Sequence, residues 1–327
     1  MMPPSRRVYI LALAVACCLS CEALAQPGER YVLLLGGLGG EKVYTDRFAA
    51  YLSETRSLLE DRYGIEHTTV LAEANHVGRP FVDDVATADN IRAFFRRLSA
   101  QVTRDDHVYI ILFGHGSYDG ARAQLNIPRQ DLDDSDFAEL LDDLNAGRIV
   151  FVNTASASGP FARTLSGSDR IVISATATGT ERDETVFPRH FIEALRSPDA
   201  DLDKSGGVSV LELFRFAAAG AARSFQETGH LATEHAVLDD NADGEPSRLD
   251  GLEAAGDGHL ASVTYLRPPE MLANVDGTLL RERDALQRAI AELKSRKQEM
   301  SEDVYFAELE ELLVSLARLN ERIEEAR

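Results

Sequence analysis

Six consecutive apolar residues, Val108-Tyr109-Ile110-Ile111-Leu112-Phe113, constrain this chain more than any other feature. A run that short, without polar alternation, suits a strand buried on both faces, and such strands belong to parallel sheets covered by helices. The pattern recurs at residues 31–35, 68–71, 149–152 and 171–174. Between these runs lie stretches of helical spacing. They are 44–63, with Phe48, Leu52 and Leu59 on one side, 89–98 with Thr87 as its N-cap, 134–144, and 187–195. Strand and helix in alternation predict an α/β fold, a mostly parallel sheet in three α/β/α layers.

The first residues read as a secretory signal, residues 1–25. Arg6 and Arg7 precede an apolar stretch over 8–19, and Ala23-Leu24-Ala25 supplies the small-residue cleavage pattern. This predicts export to the periplasm or medium. A twin-arginine signal through Ser5-Arg6-Arg7, or lipid attachment through Cys17 or Cys21, is the alternative route. All three cysteines, Cys17, Cys18 and Cys21, fall inside this segment. The expected mature chain of about 300 residues therefore has no thiol for a disulfide, a metal or a nucleophile. The formal charge of −20 disfavours nucleic acid and anionic membranes as partners. No later stretch is apolar enough to span a bilayer.

Gly36-Gly37-Leu38-Gly39-Gly40 follows the first strand, but Lys42 stands where a dinucleotide fingerprint needs its third glycine. A plain strand-to-helix loop is expected there. At the other end, Leu279, Leu286, Ile290 and Leu293 keep helical spacing. After Ser301, Tyr305, Leu309, Leu312, Leu316, Leu319 and Ile323 do the same. These spacings predict a helical hairpin over 276–327, which either packs on the domain or serves self-association or a partner.

Ligands of open parallel sheets sit at the carboxyl ends of the strands. His115 lies there after one run, in Gly114-His115-Gly116-Ser117-Tyr118-Asp119, and Ser156 after the next, in Ala155-Ser156-Ala157-Ser158-Gly159. Neighbouring strands would bring the two together, and the Gly116 N–H could face an oxyanion. Here the chain resembles the caspase–legumain peptidases. In that family a strand ending in His-Gly carries the base, and the next ends in an Ala-Cys-x-Ser-Gly run with the nucleophile. The resemblance covers about residues 31–245 and implies a caspase-like domain over 28–265, a peptide or protein ligand at the His115/Ser156 groove, and Ser156 in the place of the cysteine. A hydroxyl is far less acidic than a thiol, and needs a base oriented by a third group. Asp119 is near His115 in sequence only. Two readings follow: a degenerate peptidase homologue, or a hydrolase using His115 and Ser156.

A twelve-residue loop, residues 201–212, follows the EF-hand pattern. Asp201, Asp203, Ser205, the Gly207 carbonyl, Ser209 and Glu212 fall at the ligand positions, with Gly206 at the turn. Calcium is the expected cofactor. A second run, Asp239, Asn241 and Asp243 followed by Gly244, repeats the first half, with Pro246 at position eight and Asp250 at twelve. It reads equally as a second metal site or as a polar loop. The histidines at 67, 76, 107, 190, 230 and 235 show no ligand spacing.

Overall fold

The computed structural model describes residues 28–269, 275, 277–297 and 300–325. The predicted signal lies outside them. The chain begins with β1 (Arg30–Gly36), α1 (Lys42–Asp61), β2 (His67–Ala72), β3 (Asp84–Val85), α2 (Ala88–Ser99) and β4 (His107–Phe113). Three short strands follow, β5 (Gly116–Tyr118), β6 (Ala123–Leu125) and β7 (Leu132–Asp133), then α3 (Asp134–Asp142), β8 (Arg148–Asn153), α4 (Gly159–Thr164) and β9 (Arg170–Ser174). Next are α5 (Phe187–Arg196), α6 (Val210–Thr228), β10 (Val237–Asp239), β11 (Ser247–Arg248), α7 (Leu252–Ala255) and α8 (His259–Ser262). Two long helices end the described chain, α9 (Gly277–Ser295) and α10 (Glu302–Glu325).

Eight strands form one sheet in the order β11-β10-β9-β8-β4-β1-β2-β3. Six run parallel, and β10 and β11 close one edge antiparallel. The uniformly apolar runs are explained by burial on both faces. In β4, Tyr109, Ile111 and Phe113 join one core with α1, α5 and α6, while Val108, Ile110 and Leu112 join the other with α2, α3 and α4. Each such side chain contributes about 1.5–3 kcal/mol by leaving water, so truncating Ile110 to alanine costs about 2–5 kcal/mol.

The helix starts follow local chemistry. Thr87 accepts the Asn90 N–H at 3.3 Å, as its sequence position predicts. Asp133 and Asp136 form a reciprocal capping box on α3. Helix α6 runs to Thr228 and stops where Gly229 takes a left-handed φ of 68°. The small antiparallel sheet β5-β6-β7 has no counterpart in the sequence reading. Its strands are two or three residues long and too short to show a period.

Helices α9 and α10 pack on one another, and α9 also touches α8. Val275, Leu319 and Ile323 are buried together with Leu279, Leu280 and Leu286 against them. An Arg322–Glu282 ion pair at 3.3 Å links the two helices. Among the described residues no helix is long and apolar enough to cross a membrane.

Candidate active site

Strands β4 and β8 pair in parallel with Leu112 opposite Asn153, so the segments leaving them run side by side. Thr154 locks this exit: its N–H and its hydroxyl both donate to the Leu112 carbonyl, at 3.1 and 2.7 Å. His115 and Ser156 consequently line one pocket, with Arg47, Phe48 and Tyr51 of α1 on one side and Glu184 and Thr185 on another.

Ser156 is buried, 4% exposed. Its hydroxyl accepts the Gly116 N–H at 3.3 Å and donates to the Gly116 carbonyl at 3.3 Å. Among the described residues no hydrogen bond joins it to His115. The close approach explains the glycine, because a Cβ on Gly116 would lie 2.2 Å from the Ser156 carbonyl oxygen. The Gly116 amide, expected to face an oxyanion, is turned toward the hydroxyl itself.

The His115 imidazole sits edge-on to Tyr44 and Phe48, with ring centroids 4.7 and 5.1 Å away. Burial holds its pKa below the ordinary histidine value, and the Arg47 charge adds to this. A hydrogen bond to the Gly39 backbone pulls the other way. Burial, the largest of these influences, favours the neutral imidazole. Asp119 plays no part in orienting it. Its carboxylate accepts the Ala121 and Arg122 N–H groups, both at 2.8 Å, and closes the β5–β6 turn.

The bend at Ser156 is supported from the loop after β9. Ala157 takes a left-handed φ of 54°, and its N–H donates to the Glu181 carbonyl at 2.7 Å. The Glu181 carboxylate accepts the Ala177 N–H at 2.9 Å and the His235 N–H at 3.1 Å, and meets His235 Nδ1 at 2.8 Å. Glu234 is buried and accepts the Val186 and Phe187 N–H groups, at 2.6 and 2.9 Å, where α5 begins. Burial lifts its pKa to about 7 against the opposing effect of those two amides. Glu184 forms an ion pair with Arg47 beside the pocket, and the Thr185 hydroxyl donates to the Thr154 carbonyl at 2.6 Å. Neither Arg47 nor Glu184, which line the pocket, nor Glu181, Glu234 and His235, which brace the segments behind it, carries a local motif in the sequence.

In the 201–212 loop, carboxylate oxygens of Asp201, Asp203 and Glu212 lie within 4.8 Å of one another. Glu212 accepts the Leu202, Asp203 and Ser209 N–H groups at 2.8, 3.2 and 2.8 Å. The Gly206 N–H donates to Asp201 Oδ2 at 2.9 Å. The Ser209 hydroxyl donates to Glu212 and accepts its N–H, so it caps α6. A ligand at that ninth position commonly reaches calcium through water. The Ser205 hydroxyl donates to the Gly207 carbonyl at 3.1 Å. Hard oxygens gathered this closely fit a calcium-type ion. Asp239 ends β10, and Asn241 and Asp243 follow in the β10–β11 connection; among the described residues their oxygens are not gathered with a third carboxylate in the same way.

The fold and the pocket define an α/β domain with an imidazole and a hydroxyl at neighbouring strand ends. The Peptidase C13 family model matches residues 84–191, a span that holds both His115 and Ser156. This similarity covers a third of the chain and supports a legumain-like, caspase-like peptidase homologue. No curated protein matches the chain.

Proposed function

We propose that the chain is an exported legumain-like peptidase homologue whose cleft binds peptide but whose chemistry is degenerate. The observation that carries this is the Ser156 hydroxyl, engaged with both backbone groups of Gly116 and with no bond to His115. A thiol in that place would ionise readily beside an imidazole. A hydroxyl requires an aligned base, and a carboxylate to stabilise the imidazolium that forms. Here the groups about His115 are the Tyr44 and Phe48 rings, the Arg47 charge and the Gly39 backbone, none of them a carboxylate. The test is cleavage of a peptide library by the native protein, Ser156→Ala, Ser156→Cys and His115→Ala, with and without calcium. The expected result is little native cleavage; robust cleavage lost in Ser156→Ala would overturn the reading.

That outcome would establish the second reading, a serine hydrolase with His115 as base and Ser156 as nucleophile. It is favoured by one observation: His115, its pKa lowered by burial, lines the same pocket as Ser156.

Calcium in the 201–212 loop is part of the proposal. The gathered oxygens of Asp201, Asp203 and Glu212 support it, and their place at the start of α6 gives the ion a stabilising role. Export rests on the Arg6/Arg7 start and the Ala23-Leu24-Ala25 pattern, and is tested by N-terminal sequencing of protein from the periplasm or medium. A third role, association through 276–327, is supported by Phe306, Leu313 and Val314, which lie exposed along α10. Sedimentation of the full chain and of a chain ending before 276 tests it.

A further inference from the structure

The connection between β10 and β11 repeats the backbone of the 201–212 loop. Position four is left-handed in both, at Lys204 (φ 57°) and Ala242 (φ 66°), and so is position six, at Gly206 (φ 86°) and Gly244 (φ 71°). The N–H at position five donates to the oxygen at position three in both, Ser205 to Asp203 and Asp243 to Asn241, each at 2.9 Å. The N–H at position seven turns to the side chain at five in both, Gly207 to Ser205 at 3.4 Å and Glu245 to Asp243 at 2.7 Å. Such turns also occur without metal, so the shared geometry describes the loop and does not by itself make a site.

The independent observation is Asp239. It occupies position one, is 0% exposed, and its Oδ2 has no hydrogen-bond partner. Its other oxygen accepts the Ser166 hydroxyl at 2.8 Å, and Ser166 in turn accepts the Gly244 N–H at 3.0 Å. The carboxylate is thus tied through Ser166 to the turn that carries Asp243. A hairpin turn needs no fully buried acid at its first residue. An asparagine or serine would make the same turn without leaving a charged oxygen unsatisfied, at a penalty of several kcal/mol if ionised and isolated. A second buried oxygen without a partner is Asp257 Oδ2, whose carboxylate accepts the Asp240 N–H on its other oxygen at 3.2 Å. The nearby Asp240 is already satisfied by the Gly258 and Ala261 N–H groups, both at 2.7 Å, so the unsatisfied carboxyl oxygens are those of Asp239 and Asp257.

Asn241 is also preset. Its Nδ2 donates to the Ala255 carbonyl at 3.1 Å and to Asp243 at 2.9 Å, which fixes its Oδ1 on the loop's inner side with the Asp243 N–H. Pro246 at position eight has no N–H to offer a partner loop. The paired-loop arrangement is therefore closed to it, and the β10–β11 hairpin anchors it instead.

We propose that this connection is a second hard-cation site of the calcium class, with Asp239, Asn241 and Asp243 as side-chain ligands and the Glu245 carbonyl at position seven. A neutral amide stands where the first loop has Asp203, and Asp250 at position twelve is one methylene shorter than Glu212. Both differences place its affinity in the weak range of extracellular modules, about 10⁻⁴ to 10⁻³ M. The site does not depend on the first loop or on catalysis.

The experiment is calcium titration of chelator-treated full protein by calorimetry and native mass spectrometry. It compares the native chain, Glu212→Gln, Asp243→Ala and the double variant. Asp243 is exposed, so its replacement leaves the core intact, whereas Asp239→Asn serves as a second variant if it folds. The expected result is one calcium retained in Glu212→Gln and that calcium lost, or weakened at least tenfold, when Asp243→Ala is added. If Glu212→Gln binds no calcium, or binds it equally with and without Asp243→Ala, the second site is refuted. A native chain whose single calcium survives Glu212→Gln but not Asp243→Ala would uphold this site and remove the first.

Discussion

The Ser156 hydroxyl lies 3.3 Å from both the N–H and the carbonyl of Gly116. This contact sets the His115 strand end against the Ser156 bend, and the absence of a side chain on Gly116 makes it feasible. Gly116→Ala would place a methyl group 2.2 Å from the Ser156 carbonyl oxygen and 3.2 Å from that of Gln124. Both obstacles are backbone, so the bend must move. Overpacking of this kind costs about 1–3 kcal/mol. Urea denaturation should show a lower midpoint for Gly116→Ala. An unchanged midpoint would mean the bend yields freely.

Ser156→Cys should create a reactive thiol in a chain whose natural cysteines all precede residue 22. Alkylation by iodoacetamide should be at least tenfold faster than in the Ser156→Cys/His115→Ala double variant, since the imidazole acceptor promotes the thiolate. Equal rates would place His115 out of reach of position 156.

The Arg47 charge is one of the influences that keep the His115 pKa low. Arg47→Gln removes it and also releases Glu184 from its ion pair. Both changes favour the imidazolium, so the NMR titration midpoint of His115 should rise. Burial, the larger cause, remains, and the midpoint should still not exceed that of a free histidine. A fall on substitution would contradict the assignment.

Glu234 should make stability depend on pH. Its pKa is raised from 4.5 to about 7 in the folded chain, so the native state holds this proton where the unfolded state has lost it. The contribution is complete below about 4.5 and disappears as pH rises through about 7, a displacement worth roughly 3 kcal/mol. Glu234→Gln should flatten this part of the profile, measured by chemical denaturation between pH 4.5 and 7.5. The same slope in wild type and variant would assign the dependence elsewhere.

Calcium at tenfold its dissociation constant should stabilise the native protein by about 1.4 kcal/mol per site through mass action. Glu212→Gln should lose the share due to the first loop. It should also be less stable without calcium, because Glu212 accepts three backbone N–H groups there. Thermal melts with and without 10 mM calcium separate the two effects; an unaltered calcium increment in Glu212→Gln would show that the first loop does not bind it.

Local pattern carried much of this protein. The apolar runs that became β1, β2, β4, β8 and β9 were legible because burial on both faces removes polar residues from a strand. Thr87 was legible as a cap, and the spacing of Asp201, Asp203 and Glu212 as a loop, because each is a relation within a few residues. His115 and Ser156 were readable as strand-end residues. What lay beyond the sequence was the meeting of separate elements. The parallel register of β4 and β8 decided that Ser156 faces Gly116 and not the imidazole. Packing of α1 and of the loop after β9 brought Arg47 and Glu184 to the pocket, and Glu181 and Glu234 to the backbone behind it. The antiparallel edge at β10 buried Asp239 with one oxygen unpaired. A sequence specifies its short-range contacts through periodicity and turn chemistry. Desolvation and hydrogen-bond satisfaction at long range depend on which distant surfaces close over a group, and that is settled only when the whole chain is folded.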